Sequence, residues 1–103
     1  MSMDVIRSDD SIRDVENIAR YYLDQKTPAT ALKFARAVTK TLDLLARFPE
    51  LGPAWESKNT RLQGVRFQNV RGFRNYLVFY RLTKPGLYVE RIVDGRRDLE
   101  EVL

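Results

Sequence analysis

The arginines are the residues of this sequence best suited to bind a charged ligand, and most of them lie in the second half of the chain. Residues 57–91 carry eight lysines or arginines against one carboxylate, Glu90, and Arg96 and Arg97 follow close behind. The planar guanidinium group forms paired hydrogen bonds with phosphate or carboxylate. This one-sided charge favours a polyanionic partner, either nucleic acid or an acidic protein segment, although it also suits a solvated surface.

Several other kinds of chemistry are excluded by composition. The sequence has no histidine and no cysteine, so it offers neither a soft-metal cluster nor a Ser-His or Cys-His nucleophile, and no disulfide. Its five glycines are dispersed along the chain, which leaves no glycine-rich loop to hold a phosphate. We therefore expect no metal and no cofactor.

The length of 103 residues, with 44% hydrophobic and 11% aromatic content, predicts a single folded domain over residues 1–103. No apolar run approaches the roughly 18 residues of a membrane span. The first ten residues, MSMDVIRSDD, lack the apolar core of a signal peptide. We expect a cytoplasmic protein without a membrane partner.

The first predicted secondary-structure element is a short strand, Met3–Arg7. A helix follows, with Ser8 or Asp9 as its N-cap, or with a start one turn later through a capping box at Ser11. Thr27 and Pro28 then begin a second helix, since proline is favoured at the first helical position. Its apolar stripe is Ala31, Phe34, Ala35, Val38, Leu42, Leu45 and Phe48.

After residue 60 the periodicity changes from helical to alternating. A weak strand is predicted over Leu62–Val70, and Tyr76–Leu82 is apolar on nearly both faces, as in a central strand. Residues 84–86, Lys-Pro-Gly, form a turn before a last strand, Leu87–Val93. The resulting order, β-α-α-β-β-β, indicates an α+β fold in which a helical hairpin covers one face of a mostly antiparallel sheet.

Within this sheet, Arg81 is predicted to pair across strands with Glu90 or Asp94 rather than to bind a ligand. Tyr76 and Tyr80 share a strand face and are interpreted as core residues rather than as a base-stacking platform.

Other residues flank the sheet. Trp55 is predicted to cover the end of the second helix. Asp98 is placed to hold Arg97 by an ion pair. Arg96 and Arg97 fit either a recognition site or a charge cluster at a helix start.

The stretch FRNYLVFYR (73–81), followed by a strand and then DGRRDLEEVL (94–103), resembles the RelE/ParE toxin superfamily of bacterial type II toxin–antitoxin systems. The resemblance covers nearly the whole chain. LDLLARFPELG (42–52) and RLQGVR (61–66) are similar to the family's helix end and first hairpin strand. Asp94 departs from the pattern, because ParE-like members commonly have histidine before the glycine.

The superfamily has two main activities. RelE-like members cut messenger RNA in the ribosomal A site, and the resemblance would give this chain Arg66, Arg74 and Arg97 as its phosphate-binding cations. However, the paired lysines of the preceding strand are not reproduced in VRFQNV (65–70). The terminal tyrosine of many members falls at Leu103, which transfers no proton.

The ParE-like alternative is therefore preferred. It implies a plasmid-stabilisation toxin that inhibits DNA gyrase without catalysis of its own, with Arg74, Arg96, Arg97 and Asp98 as target-binding residues. A third possibility is a non-toxic homologue that only binds antitoxin.

The resemblance also implies a partner. Such toxins form a heteromeric complex with an acidic, partly disordered, ParD-like antitoxin, encoded next to the toxin, that folds as it wraps the helical hairpin and the sheet. The excess positive charge suits such a partner. Leu99, Val102 and Leu103 are expected to dock the C-terminal segment onto the body of the protein.

Overall fold

The computed structural model describes residues 2–103. Over this range the chain forms four strands and three α-helices in the order β1 (Val5–Arg7), α1 (Asp9–Asp24), α2 (Pro28–Arg47), β2 (Arg66–Val70), β3 (Phe73–Leu82), β4 (Leu87–Asp94) and α3 (Leu99–Val102). A 3-10 turn at Thr60–Leu62 precedes β2. The predicted β-α-α-β-β-β order is confirmed, with one additional short helix after β4.

The two long helices begin close to where the sequence predicts. Ser8 caps α1, since its side chain accepts a hydrogen bond from the Ser11 N–H at 2.9 Å; the alternative start at Ser11 is wrong. Pro28 is the first residue of α2, as predicted. Thr27 is the N-cap residue of α2, also as predicted, but its hydroxyl donates to the Tyr22 carbonyl at 2.6 Å and so ties α2 to α1 instead of bonding a first-turn N–H of α2.

The four strands form one sheet in the order β1-β4-β3-β2. β3 is antiparallel to both of its neighbours, whereas β1 is parallel to β4, so the predicted mostly antiparallel sheet is confirmed. The prediction that β2 begins at Leu62 is wrong. Leu62 is buried at the end of the 3-10 turn, and Gly64 with φ 83° turns the chain before the strand starts.

The helix-facing side of the sheet holds the larger core. Phe34, Val38, Leu42 and Leu45 of α2 pack against strand residues that include Tyr80, and the burial of Tyr80 confirms its interpretation as a core residue. The inclusion of Phe48 in the buried stripe is wrong. The helix ends at Arg47, and the backbone of Phe48 leaves the helical conformation, so that this residue is 57% exposed.

The opposite face of the sheet carries a second core, and it corrects the prediction for Trp55. Trp55 packs edge-on against Phe67 and Phe79, with ring centroids 5.6 and 5.5 Å away, and does not cover α2. Its backbone N–H bonds the Val65 carbonyl at 2.7 Å, which directs the indole to this face. The predicted docking of the C-terminal segment is confirmed, as Leu99, Val102 and Leu103 pack against the same cluster.

Within residues 2–103 we find no helix that is long and apolar enough to cross a membrane.

Candidate functional site

Two segments distant in sequence meet at one end of the sheet. Tyr76 of β3 pairs with Asp94 of β4, and the Gly95 N–H donates to the Asn75 carbonyl at 2.6 Å. The chain therefore leaves β4 beside the start of β3 and the β2–β3 turn, in which Gly72 has φ 82°. The turn supplies Arg71 to this end, the start of β3 supplies Arg74, and the segment after β4 supplies Arg96 and Arg97.

Asp94 organises the segment after β4. Its carboxylate accepts hydrogen bonds from the Arg96 backbone N–H at 2.9 Å and from the Arg96 guanidinium at 2.6 Å. The Arg96 side chain lowers the pKa of Asp94 from its usual value. The Asp94 carbonyl accepts from the Arg97 N–H at 3.1 Å. Asp94 thus neutralises one arginine and fixes the backbone of the next.

The predicted ion pair between Arg97 and Asp98 does not form. Over the part of the chain that the structure describes, the Arg97 side chain has neither an ion pair nor a hydrogen bond, and Asp98 is instead the N-cap residue of α3. The reason is local geometry: Asp98 begins a helix whose apolar residues dock on the sheet, and both side chains are exposed. Arg97 is left available to another molecule.

A cleft of about 230 Å³ adjoins Arg97 and is lined by Tyr21 and Asn17 of α1 and by Tyr76 of β3. Burial, and then a hydrogen bond with Tyr22, raise the pKa of Tyr76 to about 12. This phenol stays protonated at neutral pH, so it is not suited to act as a general base there. The cleft can bind through hydrogen bonds and aromatic contact.

Arg74 lies on the other side of this end, next to α2. It is exposed and lines a cleft of about 240 Å³ with Thr41, Leu44 and Arg71. The Arg71 N–H donates to the Thr41 hydroxyl at 3.0 Å, which fastens the β2–β3 turn to α2. The structure thus places Arg74 beside α2 and Arg97 beside α1, at the same end of the sheet.

Arg66 is not part of this end of the molecule. It pairs in register with Tyr80, six residues along β3 from Arg74, which corresponds to about 20 Å at roughly 3.3 Å per residue. Its guanidinium donates to the carbonyls of Gly52 at 2.7 Å and Glu50 at 3.3 Å. The structure therefore does not bring Arg66 together with Arg74 and Arg97.

Two more strand arginines hold the fold together. Arg81 pairs with Glu90 at 2.5 Å and donates to the carbonyls of Gln63 and Arg61, which confirms its structural interpretation. Arg91 binds both carboxylate oxygens of Asp14, at 2.8 and 2.9 Å, and the Val102 carbonyl at 2.6 Å. The count of cations in residues 57–91 thus overstates the charge that is free to bind a partner.

One cationic surface was missed by the sequence reasoning. Lys33, Arg36 and Lys40 of α2 line a groove of about 720 Å³ together with Arg71 and Gly72 of the β2–β3 turn. Their spacing of i, i+3 and i+7 places all three on one helix face, and that spacing is the signal that could have revealed it.

Comparison with known proteins identifies the family. A profile described as "ParE toxin of type II toxin-antitoxin system, parDE" matches residues 5–99. The chain belongs to the ParE toxin family. The resemblance to RelE/ParE toxins inferred from the sequence is thereby confirmed on its ParE side.

A solved structure of the chromosomal ParDE toxin–antitoxin system from P. aeruginosa has the same fold as this ParE-family chain. The TM-score is 0.74 at 18% sequence identity, over 90% of this chain and 96% of the other. No curated protein matches by sequence. The four-stranded sheet under a helical hairpin is thus a fold that this ParE-family toxin shares with a solved ParDE-system chain.

Proposed function

We propose that this ParE-family toxin inhibits DNA gyrase through the end of the sheet that carries Arg97, and that an acidic, ParD-like antitoxin neutralises it. The observation that carries the proposal is the state of Arg97. Its guanidinium is exposed and has no partner within residues 2–103, while its backbone is held by Asp94 and followed by the docked helix α3. A free cation on a fixed backbone is suited to recognition.

The neighbouring residues extend this recognition surface. Tyr21, a residue that is 55% exposed, and Tyr76 line the cleft beside Arg97. Arginine and tyrosine are among the residues that most often dominate binding energy at interfaces. Arg74 adds a second exposed cation. Arg96 is exposed but already paired with Asp94, so its contribution is weaker.

The alternative function, ribosome-dependent cleavage of messenger RNA, has less support. It requires a base, an acid and a phosphate-binding cation that converge on one phosphodiester. Arg66 is bound to two carbonyls about 20 Å from Arg74 by strand spacing, and the phenol of Tyr76 has a pKa of about 12. Leu103 lies against the second core. Two carboxylates line the cleft beside Arg97, but Asp14 accepts hydrogen bonds from Arg91 and Asp94 accepts them from Arg96, so neither is free to act as the base.

Two observations support an acidic antitoxin as the partner: the family of the chain and its positive charge. The similar solved structure is that of a ParDE system, and the chain carries a net charge of +4. An acidic antitoxin encoded beside the toxin would meet complementary charge on α2 and the β2–β3 turn. The functional unit is then a heteromeric complex in the cytoplasm, where gyrase is found.

The test uses the purified chain in two assays run in parallel. We expect it to block the supercoiling of relaxed plasmid by gyrase and to accumulate cleaved DNA, while cell-free translation continues. Expression in bacteria should arrest growth, with filamentation and a DNA-damage response. Arrested translation with cleaved messenger and intact supercoiling would replace the proposal with the ribonuclease function. Inactivity in both assays would indicate a homologue that only binds antitoxin.

A further inference from the structure

The cleft beside Arg97 contains two carboxylates, and the protein itself neutralises both of them. Asp14 binds the Arg91 guanidinium through both of its carboxylate oxygens, at 2.8 and 2.9 Å. Asp94 accepts hydrogen bonds from the Arg96 guanidinium, the shortest at 2.6 Å. Among residues 2–103, Arg97 is the only cation that lines this cleft, and its guanidinium has neither an ion pair nor a hydrogen bond. The one charge of the cleft without an internal partner is therefore positive.

The size and the walls of the cleft suit a single side chain. Its volume of about 230 Å³ lies below the roughly 300–1,000 Å³ of small-molecule sites. Asn17 and Tyr21 of α1 are exposed and supply an amide and a phenol. Ile18 and the half-buried ring of Tyr76 supply apolar surface. The cleft can thus accept a short apolar stem that ends in an anion.

We infer that this cleft binds one acidic side chain, aspartate or glutamate, on the surface of gyrase, an inference that rests on the proposed function and names the chemistry of the contact. The Arg97 guanidinium would hold the carboxylate through two parallel hydrogen bonds, because its planar fork matches that group. The methylene groups of the acidic side chain would lie against Ile18 and Tyr76. Arg97 is then the anchor of the contact.

Arg96 takes part in this contact without touching the target. The pKa of Asp94 is lowered mainly by the hydrogen bond from the Arg96 side chain, and also by the charge of Arg97. Arg97 therefore lies within electrostatic reach of this carboxylate. Without Arg96, the Asp94 carboxylate would attract Arg97 away from the cleft and repel an incoming carboxylate. Arg96 is thus a positioning residue that keeps Arg97 available to the target.

The same charges argue against nucleic acid as the occupant. A nucleic acid backbone presents a row of phosphates, and its binding depends on several cations that neutralise them. The cleft offers one free cation among residues 2–103, and two carboxylates line the same walls. A single carboxylate on a protein surface matches a single free cation.

The experiment measures, by biolayer interferometry, the binding of purified gyrase to the immobilised chain in the absence of DNA. Arg97→Ala should raise the Kd for gyrase at least about tenfold, because a central anchor is lost. Arg97→Glu should raise it further, because an attraction becomes a repulsion. The matched control is Lys58→Ala, which removes an exposed cation outside the cleft and should bind as the unchanged chain does. Thermal unfolding confirms that each variant is folded at the assay temperature.

A cycle of charge changes tests the positioning role of Arg96. Arg96→Ala should weaken gyrase binding about three- to tenfold at low salt, because it leaves the Asp94 carboxylate unneutralised. The double variant Asp94→Asn, Arg96→Ala removes both charges and should recover most of that loss. Asp94→Asn alone should bind at least as tightly as the unchanged chain, since an amide oxygen can still accept from the Arg96 backbone N–H, as Asp94 does at 2.9 Å.

The outcomes separate the cleft from the target. If the Asp94–Arg96 pair only stabilised the turn after β4, the double variant would bind no better than Arg96→Ala, and the positioning role would be overturned. Gyrase binding that requires DNA, with binding of a duplex oligonucleotide lost in Arg97→Ala, would assign Arg97 to phosphate and overturn the inference. Binding that responds to none of the charge changes would refute the cleft alone. Absence of gyrase binding and inhibition by the unchanged chain would refute the target, and the contact with it.

Discussion

The most informative substitution is Arg97→Ala. The Arg97 side chain is exposed and has no bonds to the remainder of residues 2–103. Surface substitutions of this kind change the free energy of unfolding by no more than about 0.5 kcal/mol. For a domain of this size that corresponds to a shift of less than about 4 °C in Tm. If Arg97 contacts gyrase, the same substitution should abolish or strongly reduce gyrase inhibition and growth arrest.

Arg66→Ala is the matched control, because it removes an arginine whose bonds are visible. Its guanidinium donates to the Gly52 and Glu50 carbonyls at 2.7 and 3.3 Å. Hydrogen bonds from charged groups contribute about 1.5–3 kcal/mol when well formed. Since one of these bonds is long and exposed, we expect a total loss of about 1–3 kcal/mol. This variant should be less stable and yet inhibit gyrase normally while it remains folded.

The two variants are compared by thermal unfolding, gyrase supercoiling and antitoxin binding at one temperature well below both transitions. We expect opposite patterns: a stable, antitoxin-binding, inactive Arg97→Ala and a destabilised, active Arg66→Ala. A folded Arg97→Ala that inhibits gyrase fully would refute the recognition role. In that event the functional surface would lie elsewhere, and a loss of toxicity confined to Arg66→Ala would favour the ribonuclease set.

Three further predictions follow from single contacts and from charge. Tyr80→Phe should lower the free energy of unfolding by about 2–4 kcal/mol, because the Gly52 N–H and the Pro49 carbonyl lose their bonds to the buried phenol; chemical denaturation measures this loss. Tyr76→Phe should remove the phenol that titrates at about 12, as seen in ultraviolet absorbance. Because the unfolded phenol ionises near 10, Tyr76 makes unfolding easier as pH rises above that value, and the variant should lose this dependence. Association with the antitoxin should slow as salt rises from about 0.1 to 1 M, where the Debye length falls from about 10 to 3 Å; a rate independent of salt in stopped-flow measurements would contradict a role for surface charge.

The order of elements was predictable because each has a strong local signal. Ser8 and Pro28 mark helix starts, and the alternation around Tyr80 marks a strand buried on both faces. The errors lie where tertiary contacts override local pattern. The sequence pattern predicts that Leu62 starts a strand, but Leu62 ends a 3-10 turn and its side chain packs in the second core. Trp55 packs against Phe67 on the sheet face opposite α2.

The candidate site was less predictable than the fold, because bonds to backbone carbonyls leave no trace in the sequence. Arg66 and Arg74 look alike as strand arginines, yet only Arg66 is held by carbonyls of another segment. The pairing of Arg96 was assigned neither to Asp94 nor to any other residue, and Asp98 was wrongly paired with Arg97. The chain turns after β4, so the Asp94 carboxylate accepts hydrogen bonds from Arg96, two residues later. Being neighbours in sequence does not predict which carboxylate an arginine will bind.

Five arginines of β2, β3, β4 and the segment after β4 thus divide by what accepts their hydrogen bonds. Arg66, Arg81 and Arg91 each donate to a backbone carbonyl of a segment outside the strands, near residues 50–52, 61–63 and 102. They hold irregular chain against the sheet and give its backbone carbonyls hydrogen-bond partners. The side chains of Arg74 and Arg97 donate to no backbone carbonyl among residues 2–103. Both residues lie at the end of the sheet where β3 begins and β4 ends. Removal of an arginine of the first group should therefore alter stability before activity, and removal of one of the second group should alter activity alone.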